Sequence, residues 1–281
     1  MRLARLYYRL VKFEHTIFAL PFAYVGAFLA VGGVPSAADL VWITVAMVGA
    51  RSLAMALNRL IDAGLDARNP RTATRELPSG LLSVPAVVAF CLLSLAVFLV
   101  AVWQLDPVVR LLWPIPILAF VVYPYLKRFT WLCHLWLGAV DGLAPMGAWV
   151  AITGELPWQA WALGGAVATW ITGFDLFYSL FDTDVDRAQG LHSWSTRFGE
   201  RGAFAGARVL HLATVGLLAL AGLGLDVDAW YWLGVAAVAA LLVYEHSLVR
   251  PGDLRRLDAA FFTMNGVISV AFFAFVLADV L

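Results

Sequence analysis

The chain has 281 residues, of which 62% are hydrophobic and 14% are charged. Because a soluble domain is about 25% charged, this composition excludes a water-soluble globular protein and predicts an all-α integral membrane protein, with one domain over residues 1–281. The formal net charge of zero gives no reason to expect a nucleic-acid partner. The two cysteines, Cys91 and Cys133, fit neither a disulfide framework nor zinc-ligand spacing.

The first segment, residues 1–13, places Arg2, Arg5, Arg9 and Lys12 among apolar residues, a pattern typical of a basic amphipathic segment on a membrane surface. About nine apolar stretches follow, each near the ~20 residues that a bilayer core requires. They are predicted near 14–33, 38–58, 84–104, 107–125, 132–153, 158–180, 204–225, 229–249 and 259–279. The first has no small-residue cleavage site after it, so we expect it to be a retained span. These helices are expected to surround a central cavity capped by polar loops.

Basic residues are distributed unevenly along this series of spans. Nearly all of them lie in the N-terminal segment and in alternate connections, whereas the other connections contain acidic residues but no basic ones. Only Arg51 and Arg110 depart from this, and both fall within predicted spans. By the positive-inside rule, the N-terminus and the long polar connections 59–83 and 181–203 are cytoplasmic, and the C-terminus lies outside.

The stretch from Asn58 to Gly80 concentrates polar residues directly after an apolar span. Asn58, Asp62 and Asp66 recur every four residues, so a helix would place them on one face. Clustered oxygen ligands suit a hard cation, most plausibly Mg²⁺, with Mn²⁺ as a substitute. Three arginines follow at once: Arg68, Arg71 and Arg75. This combination predicts a polyanion bound through metal and arginines; the alternative is a solvated loop between helices.

A second acidic stretch lies more than a hundred residues further on. Asp182 and Asp186 are four residues apart, and Asp175 and Tyr178 precede them on roughly the same side. Metal sites in helical bundles are built from acids on facing helices in this way. A solvated loop would explain Asp182 and Asp186, but it explains the two residues inside the predicted span poorly.

Between the acidic stretches, Lys127 and Arg128 follow a span and are suited to neutralise a diphosphate, although a role as positive-inside anchors is the alternative. Arg51 precedes Asn58 by seven residues, two helical turns, which places it about 10 Å deeper on the same side. An arginine inside a span is a functional candidate; the alternatives are that it extends to the interface or pairs with an internal acid such as Asp175. His15 is either a packing residue or a group near a cavity entrance. The other histidines show no ligand spacing and are interpreted as interfacial or structural: His134, His192, His211 and His246. Asn265 is either an interhelical hydrogen-bond residue or a cavity group.

Together these stretches resemble the intramembrane prenyltransferases of the UbiA superfamily. Asn58, Asp62 and Asp66 match its N-x-x-x-D-x-x-x-D pattern, and the following R-T-x-x-R-x-L-P-S-G matches from Arg71 to Gly80. Asp182 and Asp186 match its D-x-x-x-D, and Y-P-x-x-K-R-x-T matches from Tyr123 to Thr130. Arg59, where an acid often follows the asparagine, and Glu76, where proline is usual, depart from the pattern without removing a presumed ligand.

The resemblance implies Mg²⁺-dependent transfer of a polyprenyl group from its diphosphate to an aromatic acid, within a bacterial or archaeal plasma membrane. It is closest to the 4-hydroxybenzoate polyprenyltransferase-like group. Three segments, Lys12–Ala23, Arg51–Thr72 and Phe261–Ser269, also resemble members that are assigned to menaquinone synthesis through futalosine and act on 1,4-dihydroxy-6-naphthoate. Ubiquinone or menaquinone biosynthesis is the expected context.

The implied roles form four sets of residues. Metal ligands would be Asn58, Asp62, Asp66, Asp182 and Asp186. The diphosphate would be bound by Arg68, Arg71, Arg75, Lys127 and Arg128. Tyr123, Tyr178 and Phe174 would face the allylic cation, and Asp175 is a candidate base. The acceptor would be bound by Arg51, His15 and Asn265.

Three alternatives remain open at this point. A transporter would place acids on an ion path, but the acids here lie at the ends of spans. A phospholipid headgroup transferase would require a compact D-G-x-x-A-R cluster, which the sequence lacks. Prenylation of a haem or chlorophyll side chain is an alternative within the superfamily that only substrate assays separate.

Overall fold

The computed structural model describes residues 2–12, 16–250, 252 and 263–281, and their regular elements are helical. A short 3₁₀ turn, Ser179–Asp182, joins two of the helices. The helices are α1 (Arg2–Leu10), α2 (Thr16–Val31), α3 (Ala37–Ile61), α4 (Ala63–Asp66), α5 (Val84–Val102), α6 (Val109–Leu112), α7 (Pro114–Leu126), α8 (Cys133–Thr153), α9 (Trp158–Tyr178), α10 (Thr183–Ala188), α11 (Trp194–Leu223), α12 (Ala229–Leu248) and α13 (Asn265–Val280).

Within the described ranges, six helical segments are long and apolar enough to cross a membrane. They are α3, α5, α6 together with α7, α8, α11 and α12. The apolar parts of α2 and α13 are shorter, and α9 has 21 residues. The predicted all-α, multi-pass membrane architecture is therefore confirmed, whereas the number of about nine spans and the cytoplasmic cap stay predictions.

Several helices differ from their predicted bounds, each for a local reason. The predicted span 204–225 belongs to α11, which already begins at Trp194 because Ser193 and Thr196 form a capping box. Gly199 has φ 69° inside this helix, a conformation that favours glycine, and it marks a kink. The predicted span 107–125 is divided into α6 and α7 by Trp113, and Pro114 occupies the first position of α7, where proline is tolerated.

Six helices pack side by side around one apolar core. Along this ring, α2 contacts α8, α8 contacts α9, and α9 contacts α11; α12 contacts both α11 and α13, and α13 returns to α2. Large buried side chains such as Trp170, Tyr231 and Phe272 fill the space between them. Burial of such side chains stabilises the arrangement by roughly 1.5–3 kcal/mol each.

The remaining long helices form a second layer beside this ring. α3 packs against α5 and α7, and it contacts α2 and α8 as well. The basic segment predicted at residues 1–13 contains α1, which packs on α3; Leu10 is buried and Tyr7 stacks on Phe90 with ring centroids 4.8 Å apart. The amphipathic N-terminal segment is therefore attached to the body of the protein through its apolar side.

Small residues allow α8 and α9 to approach closely. A Cβ atom at Gly142 would lie 2.5 Å from the carbonyl oxygen of Gly164, and one at Gly138 would lie 2.2 Å from that of Ala168. Only glycine fits at such a backbone contact. This contact fixes the position of the α8 N-terminus relative to the α9 C-terminus.

These helix ends lie at the same end of the protein, where α3 and α7 also terminate. A single cavity at this end is lined by residues from all four helices. The sequence therefore folds so that its polar stretches, which are distant along the chain, surround one space.

Candidate active site

The cavity has a volume of about 190 Å³ and is predominantly lined by polar side chains. Its charged lining residues are Asp62, Asp66, Arg71, Arg75, Lys127, His134, Asp175, Asp182 and Asp186. Asn58, Asn69, Tyr123 and Tyr178 also contribute to its wall. All five predicted metal ligands and all three predicted catalytic residues therefore lie around one space.

The first acidic stretch does not form the uninterrupted helix that its spacing predicted. α3 ends at Ile61, and Asp62 caps it with φ −92° and ψ 3° before the short helix α4 begins. The Asp62 amide still donates to the Asn58 carbonyl at 3.0 Å, and the Asp66 amide donates to the Asp62 carbonyl at 2.8 Å. Because these four-residue hydrogen bonds persist across the break, the three side chains still line the same cavity.

Asp62 is buried beneath two basic residues that follow α7. Lys127 Nζ lies 3.3 Å from one carboxylate oxygen, and Arg128 Nη2 donates to the other at 3.1 Å. Burial raises the pKa of Asp62, although both cations favour its ionised form. Lys127 and Arg128 are therefore held directly beside the first acidic stretch, as their predicted role requires.

Asp66 is paired with an arginine from its own connection. Arg75 Nη1 donates to both carboxylate oxygens, at 2.7 and 2.8 Å. The Asp66 carbonyl accepts a hydrogen bond from Thr72 at 2.9 Å, which folds the connection back onto α4. Arg59, where the family pattern often has an acid, is buried and interacts electrostatically with Asp66 and Arg75.

Asp182 connects the two acidic stretches. Arg71 binds it through both Nε and Nη2, and the Nε distance to Oδ1 is 3.0 Å. Asn69 Nδ2 donates to the same oxygen at 3.0 Å, and Arg71 Nη1 donates to the Tyr178 hydroxyl at 2.8 Å. Burial would raise the pKa of Asp182, but the hydrogen bonds from Arg71 and Asn69 and the charges of Arg71 and Lys127 together lower it.

Asp186 lies one turn further along, on α10. Burial raises the pKa of its carboxyl group, while Lys127 and a hydrogen bond from Ser193 act in the opposite direction. Its neighbour Asp184 has a side chain that is 97% exposed and pairs with Arg187 at 3.3 Å. Asp186 therefore lines the cavity together with Asp182, four residues earlier, whereas Asp184 lies in solvent.

Asp175 is paired with a histidine that the sequence analysis had treated as structural. His134 Nδ1 lies 2.6 Å from Asp175 Oδ2, and both residues line the cavity. Their helices meet through the glycine contact described above, 41 positions apart in sequence. No spacing rule connects His134 with Asp175, because only the packing of α8 against α9 brings them together.

Two further residues escaped the sequence analysis. Asn69 was passed over because it stands among arginines, yet it supports both Asp182 and the Arg71 amide. Asp141 interacts electrostatically with Arg51, whereas the sequence had offered Asp175 as the internal partner of that arginine. An acid two helical turns after His134 in an apolar span was the signal that could have identified Asp141.

Other predicted site residues lie outside the cavity lining. Arg68 is exposed and donates from Nε to the Gly64 carbonyl at 3.1 Å. Phe174 is buried in the core and packs edge-on against Trp170 with centroids 5.6 Å apart. Asn265 is fully buried and accepts a hydrogen bond from Trp170 Nε1 at 2.8 Å. This contact gives Asn265 the interhelical role that was one of its two predicted roles.

The last two predicted acceptor ligands have different outcomes. Arg51 lies on α3, two turns away from Asn58, and it does not line the cavity either. Its Nε is buried and has no hydrogen-bond partner within the described part of the chain. His15 lies outside the described residues.

The donor set of the cavity fits a hard divalent cation. Four carboxylates and the Asn58 amide supply only oxygen donors of the kind that Mg²⁺ prefers. Within the described residues, no three acidic, histidine or cysteine side chains are grouped closely enough to hold an ion together. Arginine and lysine side chains stand between these acids instead, and they form ion pairs with Asp62, Asp66 and Asp182.

Comparison with known proteins agrees with this geometry. The sequence model of the UbiA prenyltransferase family matches residues 19–273. The 4-hydroxybenzoate octaprenyltransferase of Vibrio campbellii is 30% identical over 268 residues, which cover 94% of each chain. The enzyme with the same name from Shewanella frigidimarina is 32% identical over 279 residues, covering 97% of this chain and 96% of its own.

Solved structures give the same result for the fold. An apo UbiA homolog from Aeropyrum pernix K1 superposes with a TM-score of 0.87 at 33% identity, covering 95% of this chain and 98% of its own. A UbiA homolog from Archaeoglobus fulgidus, solved with GPP and Mg²⁺, has a TM-score of 0.79 at 21% identity and covers 97% of this chain and 98% of its own. At that lower identity the likeness concerns the fold alone.

Proposed function

The chain belongs to the UbiA prenyltransferase family, and we propose from this premise that it transfers a polyprenyl group from its diphosphate to an aromatic acid. The enzyme depends on Mg²⁺, and Mn²⁺ is expected to substitute. Its relatives named 4-hydroxybenzoate octaprenyltransferase and the Mg²⁺ and GPP of the Archaeoglobus fulgidus homolog support this assignment. The reaction joins a lipid-soluble chain to a quinone precursor, so both the substrate and the product belong in the bilayer.

The convergence of three distant stretches on one cavity is the observation on which this proposal depends. The first acidic stretch, the segment around Lys127 and Arg128, and the second acidic stretch meet at the same end of the protein. Direct contacts link them, since Arg128 binds Asp62 and Arg71 binds Asp182. An ion path would not require this alternation of acids and cations at one end of the protein, which disfavours a transporter.

The first task of the site is to stabilise the diphosphate as it leaves. Arg71, Arg75 and Lys127 line the cavity, and Arg128 binds Asp62 in its wall; carboxylates already orient all four positive charges. Groups held in place before the reaction stabilise developing negative charge without reorganisation. Mg²⁺ bound to Asn58, Asp62, Asp66, Asp182 and Asp186 would supply additional Lewis-acid stabilisation of the same charge.

The second task is to protect the allylic cation. Tyr123 and Tyr178 line the cavity, and aromatic faces attract cations. The Arg71 guanidinium lies 5.1 Å from the centroid of the Tyr178 ring, which indicates that this face accommodates a positive charge. Both tyrosines are therefore assigned to the cation, whereas Phe174 faces the core and is not.

The third task is to bind the acceptor, and we assign its carboxylate to Arg51. This arginine is half-buried, its Nε has no hydrogen-bond partner among the described residues, and it interacts electrostatically with Asp141. An unsatisfied guanidinium nitrogen in a membrane core is costly, and an aromatic carboxylate would satisfy it with a bidentate pair. Both 4-hydroxybenzoate and 1,4-dihydroxy-6-naphthoate have this carboxylate, so both are candidate acceptors.

Arg51→Gln tests this assignment. We expect the KM for the aromatic acid to rise strongly while the KM for prenyl diphosphate changes little, because Arg51 lies away from the cavity that holds the diphosphate. Arg51→Lys should restore binding only in part, since the forked geometry is lost. Arg110→Gln, an exposed arginine on α6, is the matched control. An unchanged acceptor KM in folded Arg51→Gln would remove Arg51 from the acceptor site.

The function itself is tested with purified protein in lipid nanodiscs and a radiolabelled polyprenyl diphosphate. Transfer to 4-hydroxybenzoate or 1,4-dihydroxy-6-naphthoate should require Mg²⁺ or Mn²⁺ and should stop when excess chelator is added. Benzoate, which lacks the electron-donating hydroxyl group, is the control acceptor. Full transfer in chelator would contradict the metal requirement, and transfer to a porphyrin side chain alone would contradict the aromatic acceptor.

The membrane arrangement completes the proposal. We place the enzyme in a bacterial or archaeal plasma membrane as a multi-pass protein with about nine spans. The cavity and the N-terminus face the cytoplasm and the C-terminus faces outward, in agreement with the positive-inside rule. Basic residues close to the cavity, including Lys127 and Arg128, support this orientation.

A further inference from the structure

The pair formed by His134 and Asp175 has the geometry of a proton acceptor and its orienting carboxylate. His134 is in the first turn of α8, and Asp175 is in the last turn of α9. The Nδ1–Oδ2 distance of 2.6 Å is short, and Thr172 Oγ1 also donates to the His134 carbonyl at 3.3 Å. Asp175 therefore holds the imidazole through Nδ1, and Thr172 fixes the backbone of His134 against α9.

The remaining nitrogen of the imidazole has no partner. His134 is 7% exposed, and its Nε2 is buried without a hydrogen bond to any part of the chain that the structure describes. When the imidazole is neutral, a hydrogen bond from Nδ1 to the Asp175 carboxyl oxygen leaves the lone pair on Nε2. A buried polar atom left unsatisfied is destabilising, which favours a role in which a bound molecule supplies the partner.

His134 lies about two helical turns above Arg51, on the side of the proposed acceptor that faces the diphosphate. Asp141 follows His134 by seven residues on α8, and Arg51 precedes Asn58 by seven residues on α3, which is two helical turns or about 10 Å in each case. Asp141 and Arg51 interact electrostatically, so their level lies deeper than the metal-ligand level on both helices. An aromatic acid held at Arg51 and extending toward the diphosphate would place its ring near His134.

We propose, on the basis of the prenyl transfer argued above, that His134 Nε2 accepts the proton that the acceptor ring loses and that Asp175 is its positioning residue. The prenyl C–O bond breaks, and its electron pair leaves with the diphosphate. A ring carbon then forms the new C–C bond to the prenyl carbon. The C–H bond at that ring carbon breaks, its electron pair restores the aromatic ring, and the proton moves to Nε2. Asp175 stabilises the resulting imidazolium through the Nδ1 proton, and the proton later passes to water.

This assignment differs from the simplest expectation, in which Asp175 itself is the base. The Asp175 oxygen that faces His134 is already engaged by Nδ1. A carboxylate that orients a histidine improves the histidine as an acceptor and need not take the proton itself. His134 is thus the catalytic group, and Asp175 acts through it.

The test uses His134→Asn and His134→Gln in the full-length protein, with acceptor deuterated at the ring positions that can be alkylated. We expect prenylated product to form on the order of 10²-fold more slowly, with the KM for prenyl diphosphate unchanged. Ring deuteration should slow the variants more than the wild type, because proton loss becomes slow. The isotope effect is a ratio within one preparation, so a partly folded variant still gives a valid result.

Two controls define the outcome. His192→Asn changes an exposed histidine outside the cavity and should behave as wild type. Asp175→Asn should also slow the reaction, and combining it with His134→Asn should add little, because the pair acts as a unit. An isotope effect in the His134 variants that equals that of wild type would overturn the role of His134. Absence of prenyl transfer in the wild type would instead refute the proposed function.

Discussion

At the residue scale, the site consists of acids that are individually matched with cations. Asp62 is bound by Lys127 and Arg128, Asp66 by Arg75, and Asp182 by Arg71. This matching allows these three carboxylates to lie around one cavity at the edge of a membrane protein, since an unpaired buried charge is costly. It also means that an arriving metal and diphosphate would exchange partners with existing ion pairs.

Neighbouring acids on α10 provide a strict test of the metal assignment. Asp186→Asn should lower turnover on the order of 10²-fold, because it removes a charged oxygen donor from the cavity. Asp184→Asn is the matched control, since Asp184 is two residues away and almost completely exposed. Turnover of both variants should be measured across a range of Mg²⁺ concentrations. Equal activity of the two variants at all Mg²⁺ concentrations would remove Asp186 from the ligand set.

Two arginines in the same connection, Arg68 and Arg71, test whether the sequence pattern or the tertiary structure better predicts which of them binds the diphosphate. Arg71→Gln should raise the KM for prenyl diphosphate strongly, because Arg71 lines the cavity and binds both Asp182 and Tyr178. Arg68→Gln should change it little, since Arg68 is exposed and bound to Gly64. Steady-state kinetics with prenyl diphosphate varied will show this difference. Comparable losses in both variants would return Arg68 to the diphosphate site, as the sequence had predicted.

At the scale of elements, the catalytic arrangement depends on how closely α8 approaches α9. The glycines at this contact allow two helices to touch through their backbones, so His134 and Asp175 meet at hydrogen-bond distance. The break between α3 and α4 has a comparable effect, because Asp62 ends one helix and keeps its four-residue hydrogen bonds on both sides. Local interruptions and close contacts therefore position the functional groups.

Gly142→Ala tests the helix contact directly. Its new Cβ would lie 2.5 Å from the Gly164 carbonyl oxygen, so α8 and α9 must separate. We expect the variant to lose about 1–3 kcal/mol of stability through overpacking, along with activity. Gly147→Ala on the same helix is the control, because nothing lies within 4 Å of its new Cβ. Thermal unfolding in detergent should show a lower Tm only for Gly142→Ala; equal Tm values would contradict the contact.

At the scale of the whole molecule, the polar end and the apolar helices define one orientation in a membrane. The cavity opens where α3, α7 and α9 end, and the connection 224–228 lies at the opposite end of the protein, between α11 and α12. Basic residues concentrate at the cavity end. This asymmetry is what the positive-inside rule uses to assign the cytoplasmic face.

Accessibility of single cysteines tests this orientation. In a background that lacks Cys91 and Cys133, both of which are buried, cysteine is introduced at the exposed positions Thr74 and Asp228. A membrane-impermeant thiol reagent applied to intact cells should label Asp228→Cys but not Thr74→Cys, because Thr74 belongs to the cavity end. Permeabilised cells, in which both should react, provide the control. The reverse pattern in intact cells would invert the topology.

The sequence by itself determined the class of the protein and identified most of the polar residues that line its cavity. Low charge and repeated apolar stretches permit only a membrane protein, since hydrocarbon excludes unpaired polar groups. Four-residue spacing predicted that Asn58, Asp62 and Asp66 lie on one side. They do so despite the break at Asp62, because the hydrogen bonds between residues four apart continue across it. The family resemblance depended on the same short-range patterns, and the matching family model confirms it.

Only the tertiary structure decided which residues meet across helices. His134 was predicted to be structural, yet it contacts Asp175 from another helix, and Asn69 supports Asp182 across 113 positions. Arg68 and Arg71 are indistinguishable in the sequence pattern, but the fold of the connection turns one outward and the other into the cavity. The physical reason is that helical periodicity specifies directions within one element, whereas contacts between elements depend on packing distances set by residues such as Gly138 and Gly142.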